Sequence, residues 1–221
     1  MLPIKDYPSS GVFPLVTILF ISFTVFIFGV EFLSPDLVAF INTYALVPEN
    51  INFSEPITLG VLVSSMFVHA GLMHLISNMW FLGIFGDNVE AVLGKLRFVL
   101  FYLSGGVVAG LVQYAISRNS DIPILGASGA IAAVLGFYLV MFPHHVIKTV
   151  VPLFRVITTM DLPAQIIVGF WFVTQLFNGT ASLFANIDMF SDTAWWAHIG
   201  GFVYGVLVGK IYMAYKQSPY G

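Results

Sequence analysis

Six stretches of this chain qualify or nearly qualify as membrane spans, and they decide what it can fold into. They run from Phe13 to Phe32, Leu59 to Phe85, Leu96 to Ile116, Ala127 to Phe142, Pro163 to Phe177 and Ala194 to Tyr215. A helix rises about 1.5 Å per residue and a bilayer's hydrocarbon core is about 30 Å thick, so about 20 apolar residues make a span. The chain therefore reads as an all-α polytopic membrane protein, a six-transmembrane-helix bundle forming a single domain over residues 1–221. Only 9% of residues are charged, against 58% hydrophobic, and the mean hydropathy is +0.93. A soluble domain carries roughly 25% charged residues. That balance excludes a disordered chain, a nucleic-acid binder and an ordinary cytosolic enzyme, and makes the lipid bilayer the first partner. With no cysteine, a disulfide framework and thiolate catalysis are excluded too.

The first stretch is longer than a signal peptide's apolar region and lacks a small-x-small cleavage site before Ser34, so it is read as a helix. Pro143 stops the fourth span, Asp161 and Pro163 open the fifth, and Asn178-Gly179 closes it. If the spans alternate, Lys5, Lys95, Arg97, Lys148, Arg155, Lys210 and Lys216 share one face, and only Arg118 lies on the other. The positive-inside rule then makes both termini cytoplasmic. The external connection, about residues 34–57, contains an amphipathic pattern from Leu37 to Leu46 that predicts a short interfacial helix. Residues 146–160, apolar but broken by Lys148, Pro152 and Arg155, read as a surface-lying cytoplasmic connector. A compact chain without an appended domain points to a bacterial plasma membrane.

Polar side chains within spans cost a few kcal/mol each and need a reason. The second span carries His69, His74 and Asn78, the fourth opens with Gly126-Ala127-Ser128-Gly129, and the sixth carries His198. From Ser128 to Phe142 the fourth helix covers only about 21 Å, so Ser128 lies below the outer surface. Residues 118–125 must descend to it as non-helical backbone, buried in protein or lining a watery cavity. Counted from the inner face, Ser128, His198 and His74 fall at similar depths on three helices, with His69 nearer the mouth. Ala197, Gly201, Gly205 and Gly209 form a small-residue ridge, as do Ser128, Ala132 and Gly136. If these ridges face each other, Ser128 meets the turn bearing His198.

A serine hydroxyl becomes a useful nucleophile when an imidazole takes its proton. No acidic residue lies in a span near His198, so a Ser-His dyad is expected, not a triad. Ser128 at a helix N-terminus offers backbone N–H groups to an oxyanion, and His74 and Asn78, spaced i,i+4, present an imidazole and an amide on one face. Taken singly, each residue has a plainer reading. A membrane histidine often bonds a neighbouring helix, Asn78 can be interhelical glue, and Ser128 can be a helix cap. His144 and His145 read as solvated loop residues, and Glu31 as a helix-end carboxylate reaching outward. A metal site from His69 and His74 is disfavoured, because i,i+5 spacing splits them around a helix. No metal or cofactor is expected.

Gly126-Ala127-Ser128-Gly129-Ala130 resembles the nucleophile motif of the rhomboid family of intramembrane serine proteases, and Ala197-His198-Ile199-Gly200-Gly201 its catalytic-histidine motif. His69-Ala70-Gly71-Leu72-Met73-His74 with Asn78 is similar to the family's second-helix signature, and Gly86-Asp87-Asn88-Val89-Glu90 to the segment after it. The resemblance covers about residues 59–209. It implies that Ser128 is the nucleophile, His198 the general base, and His74 and Asn78 the oxyanion donors. Two positions depart from the pattern. Many relatives carry an aromatic residue four positions after the serine, against the imidazole, and here Ala132 stands there. Some carry a Trp-Arg pair in the first external loop, which has neither residue between Ser34 and Pro56.

The expected function is that of a serine endopeptidase cleaving transmembrane protein substrates within or next to their spans, at small or helix-breaking residues near the outer leaflet. Residues 179–193 would join the last two spans over the pocket, with Leu183-Phe184 and Met189-Phe190 as a mobile apolar plug. A catalytically silent relative that binds transmembrane clients is the alternative, although such a protein would be expected to lack the serine and histidine. A transporter or channel would favour inverted repeats and paired broken helices, and neither is present.

Overall fold

The computed structural model describes residues 1–153, 156–184 and 193–217. In chain order the elements are β1 (Leu2–Tyr7), α1 (Leu15–Phe32), α2 (Leu37–Tyr44), α3 (Val61–Ser64), α4 (Leu72–Leu93), α5 (Lys95–Ile116), α6 (Ser128–Met141), β2 (Val146–Leu153), β3 (Val156–Pro163), α7 (Ala164–Phe184) and α8 (Trp195–Gln217). The six-helix membrane bundle is present as α1 and α4–α8. Among the described residues, α1, α5, α8 and residues Ala164–Leu183 of α7 are each long and apolar enough to cross a bilayer. α6 is apolar but shorter, and α4 is as long as α5 yet carries several polar residues.

α6 is the axis of the bundle. Every residue from Gly129 to Tyr138 is buried, so this helix can be apolar all round. It packs most extensively on α8, through the two small-residue ridges. A Cβ at Gly201 would fall on the carbonyl oxygen of Gly129, and one at Gly205 on that of Ala133. The backbones touch there, and no flexible side chain can give way. Gly205→Ala should therefore destabilise the fold by about 1–3 kcal/mol. Thermal unfolding in detergent tests this, and an unchanged Tm would show that the two helices are free to separate.

Two boundaries differ from the hydropathy reading. The second apolar stretch is not one helix from residue 59. It holds α3, then irregular backbone, and α4 begins only at Leu72. Ser65, Met66, Phe67, Val68 and His69 are buried in that irregular segment, whose polar backbone must find partners inside the protein. Ser65 O accepts from Gly126 N at 2.8 Å. Glu31, expected to reach outward, is instead buried and accepts from His69 N at 3.1 Å. α7 likewise continues through Asn178-Gly179 to Phe184, so the first part of the expected plug is helix, and Met189 and Phe190 lie outside the described residues.

Residues 118–125 are non-helical as expected. Leu46 and Ile124 exchange backbone bonds of 2.9 and 2.8 Å, and Glu49 N donates to Ser120 O at 3.2 Å. The helix of the 34–57 connection, α2, is capped by Asp36, which accepts from Ala39 N at 2.9 Å, and none of its residues is buried.

The expected connector at 146–160 is a β-hairpin. β2 pairs antiparallel with both β3 and β1, giving the order β1-β2-β3. The strand is dense in β-branched residues, and Ile147, Thr149 and Val151 are buried while Val146, Lys148 and Val150 are not. Pairing with β1 ties the N-terminus to the α6–α7 connection, so both lie on one face. Glu90 of α4 then caps α1, accepting from Val16 N at 2.9 Å and from Thr17 N and Oγ1 at 2.8 Å.

Asp6 of β1 is buried on this face, where it accepts hydrogen bonds from Tyr138 Oη at 2.9 Å and from Asn88 Nδ2. Burial raises its carboxyl above the ordinary carboxylate value, and those two hydrogen bonds offset only part of the rise. A raised folded-state value means that its contribution to stability is present at low pH and lost as pH rises through that value. Asp6→Asn should therefore melt above wild type at pH 8, with the gap closing on acidification. Tm against pH for both proteins checks this, and a gap that widens toward acid would contradict it. His145, expected to be solvated, is half-buried beside this cluster, with Nδ1 3.3 Å from Tyr138 Oη, and burial lowers its imidazole.

Candidate active site

Ser128 begins α6 and His198 lies in the first turn of α8. The glycine contact between these helices sets both N-terminal turns side by side. Ser128 Oγ and His198 Nε2 are 2.8 Å apart. The register of α8 is held from α5, where Gln113 Oε1 accepts from Ala197 N at 3.1 Å and so satisfies one of the free N–H groups of the helix end.

His74 and Asn78 approach from α4. Gly126 separates them from Ser128 and has φ of +112°, a backbone conformation that favours glycine. A Cβ there would come within 2.6 Å of His74 Cε1, 2.7 Å of His74 Nε2 and 3.5 Å of Asn78 Nδ2. Glycine is thus required both for the turn and for the imidazole's approach. Asn78 Nδ2 is buried without a hydrogen-bond partner, an uncommon and costly state for an amide. A cavity of about 450 Å³ joins these groups, lined by His74, Asn78, Ser128, His198, Trp171 and Ala70 among others. A second, of about 470 Å³, shares Ala70 and His74 and continues along residues 122–125 to Ser117 and Ser120.

All four residues expected from the sequence thus meet at one cavity. His69 does not join them. It is fully buried in the segment before α4, with its ring 5.1 Å from that of His74. The two histidines that helical spacing would have split are therefore neighbours, because His69 precedes the helix. Among the described residues no three His, Asp or Glu side chains are grouped to hold a metal ion.

Sequence reasoning missed Gln175 and Trp171 of α7. Gln175 Oε1 lies 2.8 Å from His198 Nδ1, and the ring of Trp171 lies 5.9 Å from the imidazole. Trp195 meets the same ring edge-on at 6.1 Å. Ala132, where relatives carry an aromatic residue, is fully buried beneath Gly201, and a Cβ on Gly201 would stand 3.3 Å from the Ala132 Cβ. The imidazole's aromatic neighbours come from α7 and α8 instead. The rule that singled out Asn78, an amide within an apolar span, applies equally to Gln175.

The Rhomboid domain family model matches residues 58–215. The human mitochondrial presenilin-associated rhomboid-like protein (Homo sapiens) is 30% identical over 145 residues, covering 64% of this chain and 35% of that protein. RHOMBOID-like protein 6, mitochondrial, of Arabidopsis thaliana is 30% identical over 157 residues, 71% of this chain and 45% of its own length. The putative rhomboid protease YdcA of Bacillus subtilis (strain 168) is 36% identical over 80 residues, 36% of this chain and 40% of its own. The chain spans less than half the length of each of these relatives. The family match includes both N-terminal turns that meet at the cavity and the glycine ridge that joins them. This chain is an integral membrane protein and belongs to the rhomboid family.

Proposed function

We propose that the protein is a serine endopeptidase that cleaves transmembrane protein substrates within or beside their spans, with Ser128 as nucleophile and His198 as general base. The 2.8 Å contact between Ser128 Oγ and His198 Nε2, inside a cavity bordered by the unpaired amide of Asn78, carries this reading. Oγ attacks the scissile carbonyl carbon as Nε2 takes its proton. The imidazolium returns that proton to the leaving nitrogen, and the amine product departs. Water then attacks the acyl-serine, with the same nitrogen as base, releasing the carboxylate product and restoring the hydroxyl.

Negative charge develops on the carbonyl oxygen in both steps. Asn78 Nδ2, His74 and the backbone N–H groups at the start of α6 are the donors for it, and the helix dipole adds to their effect. A helical substrate has its scissile carbonyl already hydrogen-bonded, so the cleaved stretch must unwind to reach Ser128. Small or helix-breaking residues are therefore the preferred cleavage sites.

The basic face is proposed as the cytoplasmic one, with the cavity opening to the opposite side. Lys5 and Lys148 pair across β1 and β2, and Lys95, Arg97, Lys210 and Lys216 belong to the helix ends on that side. The relatives named above are mitochondrial and bacterial, so a bacterial plasma membrane gains no support over a mitochondrial one.

Turnover of a fluorescently labelled transmembrane substrate in proteoliposomes tests the proposal. Two products from one peptide bond are expected. Substrate bound and returned intact, across substrates with different cleavage-site residues, would make this a client-binding relative.

A further inference from the structure

A buried amide must satisfy both of its ends, and that requirement constrains Gln175. The side chain is 5% exposed, on the face of α7 that meets α8. Its Nε2 donates to the Trp171 carbonyl at 3.0 Å and to Thr174 Oγ1 at 3.0 Å. With the nitrogen end spent on α7's own turn, the oxygen end is the one presented to His198, at 2.8 Å from Nδ1. A carbonyl oxygen only accepts, so Nδ1 must carry the ring's proton. Nε2 is then left as a lone pair, facing Ser128 Oγ at 2.8 Å. In the other tautomer, two acceptors would face each other at Nδ1 and two donors could compete at Nε2.

We propose that Gln175 is the positioning residue of the dyad, holding His198 in the tautomer and orientation that can take the serine's proton. This rests on the endopeptidase reading above. In serine hydrolases with a triad, a carboxylate does this work. Here a neutral amide does it without placing a third ionisable group in a buried site, where an unpaired charge is costly. The flanking rings of Trp171 and Trp195 confine the imidazole's plane but cannot choose between its nitrogens. Gln175 is in turn anchored through the start of α7, where Ala164 N donates to His145 O at 2.8 Å and Gln165 N to Pro143 O at 3.1 Å. The tautomer of His198 thus depends on where α7 sits.

The test is steady-state cleavage by Gln175→Leu and Gln175→Glu in proteoliposomes, with pH–rate profiles and thermal unfolding for each. Gln175→Leu removes the acceptor at similar volume. It should lower kcat about ten- to a hundredfold and leave KM within about twofold, because the lost preference acts on the reacting state. Gln175→Glu restores an acceptor and should recover most of kcat. Its carboxylate would stabilise the imidazolium, so the acid limb of its profile should move to higher pH. Among the described residues, His74 is the other titratable group lining this cavity, and it is unchanged in both variants.

A folded Gln175→Leu protein with kcat within about twofold of wild type would overturn the proposal, as would a Gln175→Glu protein whose acid limb does not move. If Gln175→Leu fails to fold, the Gln175→Glu profile alone decides. Ser128→Ala in the same assay separates the two readings. Cleavage that survives Ser128→Ala removes the endopeptidase assignment itself, whereas cleavage lost there but insensitive at Gln175 removes only the positioning role.

Discussion

Ser128→Ala and His198→Ala should each reduce cleavage by about 10⁴-fold or more, and the double variant should be no slower than the worse single one. Nucleophile and base act as one unit. Without the imidazole, Oγ keeps its proton and is a weak nucleophile. Without the hydroxyl, the imidazole has nothing to activate but water held in the wrong place. Among the described residues, His198 is the one hydrogen-bond partner of the Ser128 side chain, so the alanine variant should unfold within a few degrees of wild type. Loss of activity with loss of fold would point to a structural role instead. Two single effects that multiply in the double variant would show that serine and histidine work separately.

Substitution of Asn78 should lose activity while stability holds or rises. Its Nδ2 is buried and unpaired, so the folded protein carries an unsatisfied donor on behalf of the cavity. Asn78→Leu removes that donor and fills much the same volume. Losing one oxyanion donor costs about 10²- to 10³-fold in kcat, with little change in KM, since the donor is spent in the transition state. Stability should hold or rise, because the unpaired group is gone. Were Asn78 interhelical glue, the same substitution would lower Tm and activity together. The two readings therefore separate on one variant, measured in two ways.

The bundle was legible because a bilayer punishes polar backbone, which leaves long apolar runs visible at a glance. The α6–α8 contact was legible as well. Ala197, Gly201, Gly205 and Gly209 could be matched to Ser128, Ala132 and Gly136 by spacing alone, and the facing of these ridges places Ser128 at His198. What escaped was structure whose signal lies in a distant partner. β1 pairs with β2 across some 140 residues of chain, so nothing near Leu2–Tyr7 marks it as a strand. β2 carries a two-residue alternation, but a summed hydropathy does not register period, and the segment read as a connector.

The loop from Ser65 to Gly71 failed for a related reason. Its apolar residues are buried against protein, and hydropathy cannot tell that environment from lipid. Glu31 reads as outward-facing from sequence because its partner, the His69 N–H, is presented only by the folded loop. Gln175 is the instructive omission. An amide in a span was a visible cost, yet its purpose lay on α8, 23 residues later, at the ring nitrogen that the serine does not use.

Covalent trapping tests most directly whether Ser128 is a nucleophile made reactive by His198. The protein in proteoliposomes would be treated with a fluorophosphonate, and the adduct mapped by mass spectrometry in wild type and His198→Ala. One adduct on Ser128, formed at least about 10³-fold more slowly without the imidazole, is the predicted result. Modification spread over surface hydroxyls, or an equal rate at Ser128 in both proteins, would contradict it.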